Sequence, residues 1–298
     1  MIEAGPLAAA APARLSDYLE LTKPRLSLLS VLTALAGYEA ARTPHEPGRL
    51  LWLLVGASLA AGGVAALNQW MEVDTDARMH RTAQRPIPAG KVATGSAFVL
   101  GSLMCVASLM LLFGKVNQLS ALFTLLTIFA YLGWYTPAKP RSRWSTEIGA
   151  VAGALPPLIG WSAGEDRVSA LGWILFGILF FWQIPHFMAI AWTYRRDYSA
   201  VHFPMPSVTD PSGRWVAAWS FANCLLLAIV SLLPVWLHLA TFWYGAVAAV
   251  SSGWLLTRAA QFLHADGRDL AARRLFFATI GYLPLVLLAL VADRMIFF

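Results

Sequence analysis

Cysteine is almost missing from this chain. Its 298 residues hold 2, Cys105 and Cys224. Each lies in an apolar run and neither belongs to a Cys-x-x-Cys pair, so no disulfide framework or zinc site is indicated. Charge is scarce too: Asp, Glu, Lys and Arg make up 13% of the residues, against about 25% in soluble domains. No Walker loop, His-Glu-x-x-His motif or Gly-x-Ser-x-Gly elbow occurs, which leaves P-loop, zincin and serine-hydrolase chemistry without a sequence basis. Residues 1–13 are apolar but short and lack a basic n-region, so they do not read as a secretory signal, nor as an Arg-rich transit peptide.

What remains is largely hydrocarbon. Hydrophobic residues account for 58% of the chain and mean hydropathy is +0.60. The apolar residues fall in runs near the length, about 20 residues, that a helix needs to cross a bilayer. Candidate spans lie at residues 26–41, 50–71, 92–113, 117–135, 147–163, 169–193, 215–236, 239–262 and 275–292. The expected fold is all-α, a polytopic membrane helical bundle of about nine transmembrane helices. Residues 1–24 form a tail and an interfacial helix within "ARLSDYLELTKPRL", and residues 25–298 form a single transmembrane domain.

Basic residues set the orientation. With the N-terminus inside, only Arg42, Arg49, Lys115, Arg167 and Arg294 lie outside, and the other 17 of the 22 lie inside. The prediction is N-terminus in and C-terminus out, in a bacterial cytoplasmic membrane or, in a eukaryote, the mitochondrial inner membrane. The net charge of +6 is then topological and gives no support to nucleic-acid binding.

One inner segment concentrates the charge: "NQWMEVDTDARMHRTAQRPIPAG", Asn68 to Gly90. On a helix Asn68, Glu72 and Asp76 drift by only about 40° per step and form one polar stripe, whereas Asp74 points elsewhere unless the helix unwinds. Like charges spaced this way repel by about 0.2–0.5 kcal/mol, so a cation is expected to offset them. Mg²⁺ suits carboxylate oxygens and completes its shell with water and substrate phosphates. Direct neutralisation by Arg78, Arg81 and Arg85 is the alternative. The mixture of carboxylates with phosphate-matching Arg and Lys favours a magnesium–diphosphate site.

Two further inner segments carry polar groups. In "FFWQIPHFMAIAWTYRRDYSAVHFPMPSV", His186 and Asp197 are 11 residues apart, about 20° from overlap and about 16 Å along a continuous helix. His186 would then look into the same cavity as Asp197 from within the membrane, as a functional residue or as a hydrogen-bonded structural one. In "YTPAKPRSRWSTEIG", Tyr135 and Lys139 flank a proline-bounded turn from which they could reach a diphosphate, with Glu147 opening the next span.

These residues resemble the intramembrane (UbiA-type) prenyltransferase superfamily over nearly the whole chain from Leu21. Its Asn-x-x-x-Asp-x-x-x-Asp motif maps onto Asn68, Glu72 and Asp76, with Glu for the first Asp. "LTKPRL", "RPIPAG", "GALPPLIGW", "WQIPHFMAIAW" and "RRDYSAVHFPM" resemble the branch that farnesylates heme. Only Asp197 remains of the second Asp-rich motif found in quinone-type members. The chain departs from relatives at His202, where Gly or Asn is more usual, and in "PMPSV".

The resemblance implies transfer of farnesyl from farnesyl diphosphate to a vinyl group of protoheme IX, with Mg²⁺ as cofactor. Asn68, Glu72, Asp76 and Asp197 would be catalytic and metal-holding, with Asp74 as a further metal ligand. Lys23, Arg25, Arg85, Tyr135 and Lys139 would bind the diphosphate, and His186 would orient or ligate heme, or handle the water that quenches the product. Membrane lipid and a downstream heme-modifying enzyme are the remaining candidate partners. The alternatives are a prenyltransferase for an aromatic quinone precursor and a secondary transporter; the latter tends to place its charges near the midplane.

Overall fold

The computed structural model describes residues 13–41 and 46–298; the readings of residues 1–12 and of Arg42 fall outside them. The described residues form helices joined by turns and loops, with no strand, as suits a chain whose spanning backbone cannot turn to water. The helices are α1 (Leu15–Leu21), α2 (Pro24–Ala40), α3 (Pro47–Met71), α4 (Val73–Arg78), α5 (Thr94–Lys115), α6 (Gln118–Phe129), α7 (Thr136–Ala138), α8 (Ser145–Ala154) and α9 (Pro156–Glu165). They continue with α10 (Ala170–Thr193), α11 (Arg195–Ala200), α12 (Pro206–Thr209), α13 (Arg214–Trp236), α14 (Phe242–Leu263) and α15 (Arg268–Phe297). Six stretches are long and apolar enough to cross a membrane: 47–71, 94–115, 118–138, 170–193, 214–236 and 268–297.

Two interruptions shape the bundle. A π-helical turn, Ala130–Tyr135, joins α6 to α7; such turns recur at functional sites. The Thr136 hydroxyl donates to the Tyr131 carbonyl (2.9 Å) at its end. The other break lies at Leu155, where Pro156 and Pro157 lack N–H groups and so restart the helix as the first residues of α9.

That restart permits an unusually close approach between α2 and α9. A Cβ at Gly160 would land on the carbonyl of Ala34, and one at Gly37 on the carbonyl of Pro157. Small residues at such contacts let membrane helices gain packing and backbone proximity, which substitute for the missing hydrophobic drive. Behind them, α10, α13, α14 and α15 share one large apolar core that includes Ile178, Leu227, Tyr244, Phe262 and Tyr282.

Polar contacts lace the bundle at each end. At one end Arg49 donates to Asp166 (2.9 Å) and to the Ala163 carbonyl, and Asn117 donates to the same Asp166 (2.8 Å). Asp293, fully buried, accepts from the backbone and hydroxyl of Thr241, and Arg294 reaches the Ala40 carbonyl (3.2 Å). At the other end, called here the basic end, Arg268 binds the carbonyls of Phe262, Leu263 and Ser212. Arg195 and Trp192 share Asp269 there. This is the end at which α3 delivers Asn68.

Because Gly160 touches backbone rather than a movable side chain, Gly160→Ala should destabilise the protein by about 1–3 kcal/mol. Gly253→Ala, which meets open space, should be neutral or mildly stabilising. Thermal unfolding of both variants in nanodiscs checks the contrast.

Candidate active site

The site begins where α3 runs out. Glu72, at φ −102° and ψ 11°, is the joint between α3 and α4. The i→i−4 backbone bonds nevertheless continue, from Glu72 N to Asn68 O (3.0 Å) and from Asp76 N to Glu72 O (2.8 Å). The bend therefore leaves Asn68, Glu72 and Asp76 one turn apart, and all three are at least partly buried. Asp74 is exposed and stands outside this row, with only its backbone carbonyl engaged, by Arg78 Nε (3.1 Å).

Each of the three meets a different partner. Glu72 Oε1 accepts from Lys139 Nζ at 2.6 Å, and Asp76 Oδ2 from Arg85 at 2.5 Å. Asn68 Oδ1 accepts from Lys23 Nζ (3.1 Å), while its amide donates to the Thr136 hydroxyl (3.2 Å). Direct neutralisation, the alternative raised from sequence, is thus partly realised. Its agents are Arg85 and Lys139; Arg78 and Arg81 are exposed on the short helix and the loop after it. Arg81 instead lies over the Tyr194 ring, 5.7 Å from its centre.

Four chain segments converge here for local reasons. Lys23 sits in the left-handed region at φ +46°, just before Pro24; that conformation costs about 1–2 kcal/mol for a residue with a Cβ. The 79–92 loop bends back so that Thr82 donates to the Asp76 carbonyl (2.9 Å) and Arg85 returns to the carboxylate. The π turn presents Tyr131 and Tyr135 edge to face (5.1 Å), with Lys139 Nζ 4.6 Å above the Tyr135 ring. Gly149 of α8 lets the Tyr135 ring lie flat on backbone, since a Cβ there would meet the ring at 2.7 Å.

Asp197 occupies α11, partly buried and with no side-chain partner among the described residues. Its loop meets the Asp76 loop through Met79, packed with Val201 and Phe203. Between His186 and Asp197, α10 gives way to α11 at Tyr194 (φ −103°, ψ 23°), although the i→i−4 bonds from Tyr194 to Ile190 (2.9 Å) and from Tyr198 to Tyr194 (3.3 Å) continue. His186 turns to α15, where its Nδ1 lies 2.8 Å from the Thr279 hydroxyl. Arg25 is exposed, outside the ion-pair cluster. His202 adopts φ +55°, a left-handed conformation that Gly and Asn reach most readily.

The electrostatics are lopsided toward positive charge. Lys23, Arg85 and Lys139 face Glu72 and Asp76 only. Burial pushes the Lys23 pKa down to about 7, helped by Arg85 and Lys139. Burial also opposes the Lys139 charge, but Tyr135 and Glu72 outweigh it and hold that pKa above the ordinary lysine value. Among the described residues no three Asp, Glu, His or Cys side chains converge as a ready metal cage. Mg²⁺ rarely needs one, taking one or two carboxylates plus substrate phosphates. The donor set fits that habit, because Glu72 and Asp76 each commit one oxygen to a cation and neither second oxygen is among the sealed, unpartnered atoms. Thr136 and Tyr131 were missed from sequence; the stripe Tyr131, Tyr135, Lys139 at fourfold spacing was the available signal.

Six membrane-length helices and a charged cluster at one mouth of the bundle define an integral membrane protein with a polar site at its boundary. Its sequence matches the UbiA prenyltransferase family over residues 30–281, and the chain belongs to that family. A protein of Opitutus terrae called protoheme IX farnesyltransferase is 69% identical over 286 residues, covering 96% of this chain and 97% of that one. The fold is shared with digeranylgeranylglyceryl phosphate synthase at TM-score 0.81 and 16% identity, covering 94% of this chain and 98% of that one. It is also shared with a UbiA homolog from Archaeoglobus fulgidus bound to GPP and Mg²⁺, at TM-score 0.68 and 14% identity, covering 93% and 99%.

The Lys23 shift gives a pH signature. Its folded pKa, about 7, lies below the unfolded value, so between pH 7 and about 10 the unfolded chain binds a proton that the folded one has shed. Stability relative to Lys23→Met should therefore rise with pH across that window and stay level below it. Paired melting curves in nanodiscs from pH 6 to 10 would read the difference; a difference that falls with pH would contradict the shift.

Proposed function

We propose that this chain is an intramembrane, Mg²⁺-dependent prenyltransferase that moves the farnesyl group of farnesyl diphosphate to a vinyl group of protoheme IX, where water adds to the resulting cation, giving heme O and pyrophosphate. The observation that carries the reading is the 69% identity, over almost the full length of both chains, with the Opitutus terrae protein of that name. It favours the heme branch over the aromatic-acceptor and transporter alternatives.

Glu72 and Asp76, with Asn68 and Asp197, are the residues to hold Mg²⁺ against the diphosphate; exposed Asp74 is the least suited of the predicted ligands. When bound, Mg²⁺ supplies Lewis acidity that offsets charge on the phosphate oxygens. Lys23, Arg85 and Lys139 donate to those oxygens as the allylic C–O bond breaks and the leaving group gains charge. Arg25, exposed at the start of α2, meets the diphosphate at the rim. The Tyr135 ring, already beneath a cation, offers a π face to the allylic carbon as it becomes positive. His186 belongs to the heme side of the reaction. Farnesyl and porphyrin both partition into the bilayer, so a bundle open to hydrocarbon suits each.

The same reading takes the chain as crossing the membrane nine times, N-terminus in and C-terminus out, with residues 1–24 as tail and interfacial helix and 25–298 as one catalytic domain. The site then opens to the cytoplasm in a bacterial membrane, or to the matrix in a mitochondrial one, and a downstream heme-modifying enzyme would take the product.

Purified protein in nanodiscs with farnesyl diphosphate, Mg²⁺ and reduced protoheme should yield a farnesylated, hydrated heme, detected by chromatography and mass spectrometry and abolished by EDTA. Asp76→Asn should lower turnover by about a hundredfold or more at unchanged folded yield, because Asn keeps the volume and Arg85 retains access to water. Prenylation of 4-hydroxybenzoate in place of heme would overturn the assignment of the acceptor.

A further inference from the structure

His186 lies on α10 seven residues before its end at Thr193, about 10 Å in from the basic end at 1.5 Å per residue. Its ring is enclosed by aromatic surfaces. Trp182 stacks on it at 4.7 Å and 22°, Phe276 of α15 lies at 4.9 Å and 31°, and Phe187 meets it edge-on at 5.3 Å. Gln183, three residues earlier, reaches a different helix, donating to the Ala150 carbonyl of α8.

Hydrogen-bond accounting fixes which ring nitrogen carries the proton. Among the described residues the imidazole has one hydrogen-bond partner, Thr279, through Nδ1. A threonine hydroxyl has one proton, and Thr279 gives it to the Phe276 carbonyl at 2.6 Å. Thr279 can then only accept from His186, so Nδ1 holds the hydrogen and Nε2 is a bare lone pair. Trp182 secures the same turn of α15 by donating to the Thr279 carbonyl at 2.7 Å. Nε2 itself has no hydrogen bond among the described residues, nor is it among the polar atoms sealed from the surface. A polar nitrogen without a partner at membrane depth is costly unless a ligand uses it.

A histidine whose Nδ1–H is held by an acceptor, with a free Nε2, has the form of a metal ligand supported from behind. We infer that His186 Nε2 is the axial ligand that binds the iron of the porphyrin substrate, with Thr279 as its positioning residue. The inference rests on protoheme being the acceptor. The bond is dative: the Nε2 lone pair goes to iron, no proton leaves because Nε2 carries none, and the oxidation state of the iron is unchanged. Iron ligation anchors the macrocycle at one point, and Trp182 and Phe276, stacked along the imidazole, hold that ring's orientation. Which vinyl group faces the farnesyl carbon is then set by rotation about a single bond.

The test uses full-length protein in nanodiscs titrated with ferric protoheme, in parallel with metal-free protoporphyrin IX. The variants are His186→Phe, which keeps the stacked volume but removes the lone pair, and Thr279→Val, which removes the acceptor behind it. Wild type should give the optical and electron paramagnetic resonance spectra of imidazole-ligated heme. His186→Phe should lose them and regain them with added imidazole, and Thr279→Val should weaken heme binding by about tenfold. Metal-free protoporphyrin should bind all three proteins alike, which also reports that they are folded. An unchanged heme spectrum in His186→Phe, or equal loss of both porphyrins, would overturn the inference while wild-type farnesylation of heme kept the proposed function intact. A wild type that binds but never farnesylates heme would instead remove that function, and this inference with it.

Discussion

Carboxylates at the lip of a hydrocarbon slab must find cations, and that requirement organises this protein. Glu72 and Asp76 leave α3 and α4 at a depth where water is thin, and an unpaired charge there would cost several kcal/mol. Each is met by a cation from a distant part of the chain, Lys139 from the loop after α7 and Arg85 from the loop after α4. Lys23 closes the set through Asn68. The pairs stitch the first half of the bundle together at its mouth, and they do so with one carboxylate oxygen apiece. The surplus of positive charge makes the lip structurally tolerable without an anion and still attractive to one.

Helix packing elsewhere serves this arrangement by holding backbones close. Gly160 and Gly37 bring α2 and α9 into backbone contact, which fixes the helix that begins at Lys23. On the other side of α8, Gly153 admits the Gln183 side chain, since a Cβ there would meet its carbonyl oxygen. Gln183 in turn ties α10 to α8. A polar site at a membrane boundary needs such rigid walls, because the side chains that build it are long and would otherwise relax toward water.

Much of this was legible in the sequence, unevenly. The apolar runs marked the helices because hydrophobic length is an additive property that needs no knowledge of neighbours. The stripe Asn68, Glu72, Asp76 survived the bend at Glu72 because the i→i−4 bonds persist across it. The joint at Tyr194, between His186 and Asp197, was not legible, since nothing in "AWTYRRD" announces it. Partners were the least legible. That Lys139 rather than Arg78 answers Glu72, or that Thr279 answers His186, depends on how helices distant in sequence pack together. The positive φ at His202 was not legible either, because it depends on how the loop after α11 closes.

The π turn before Lys139 carries a consequence for rotational phase. It holds one residue more than an α-helical turn spanning the same rise, so everything after it is rotated by about 100° relative to an uninterrupted helix. Lys139 lies over Tyr135 because the two are one ordinary helical turn apart; the extra residue sets the phase in which Lys139 meets Glu72. Were the same residues, Ala130 to Tyr135, wound as ordinary α-helix without shortening, the lysine would turn by that angle toward a different neighbour, although no residue of the charged cluster itself had been altered. The spacing of the turn is therefore as much a part of the site as the side chains that meet there.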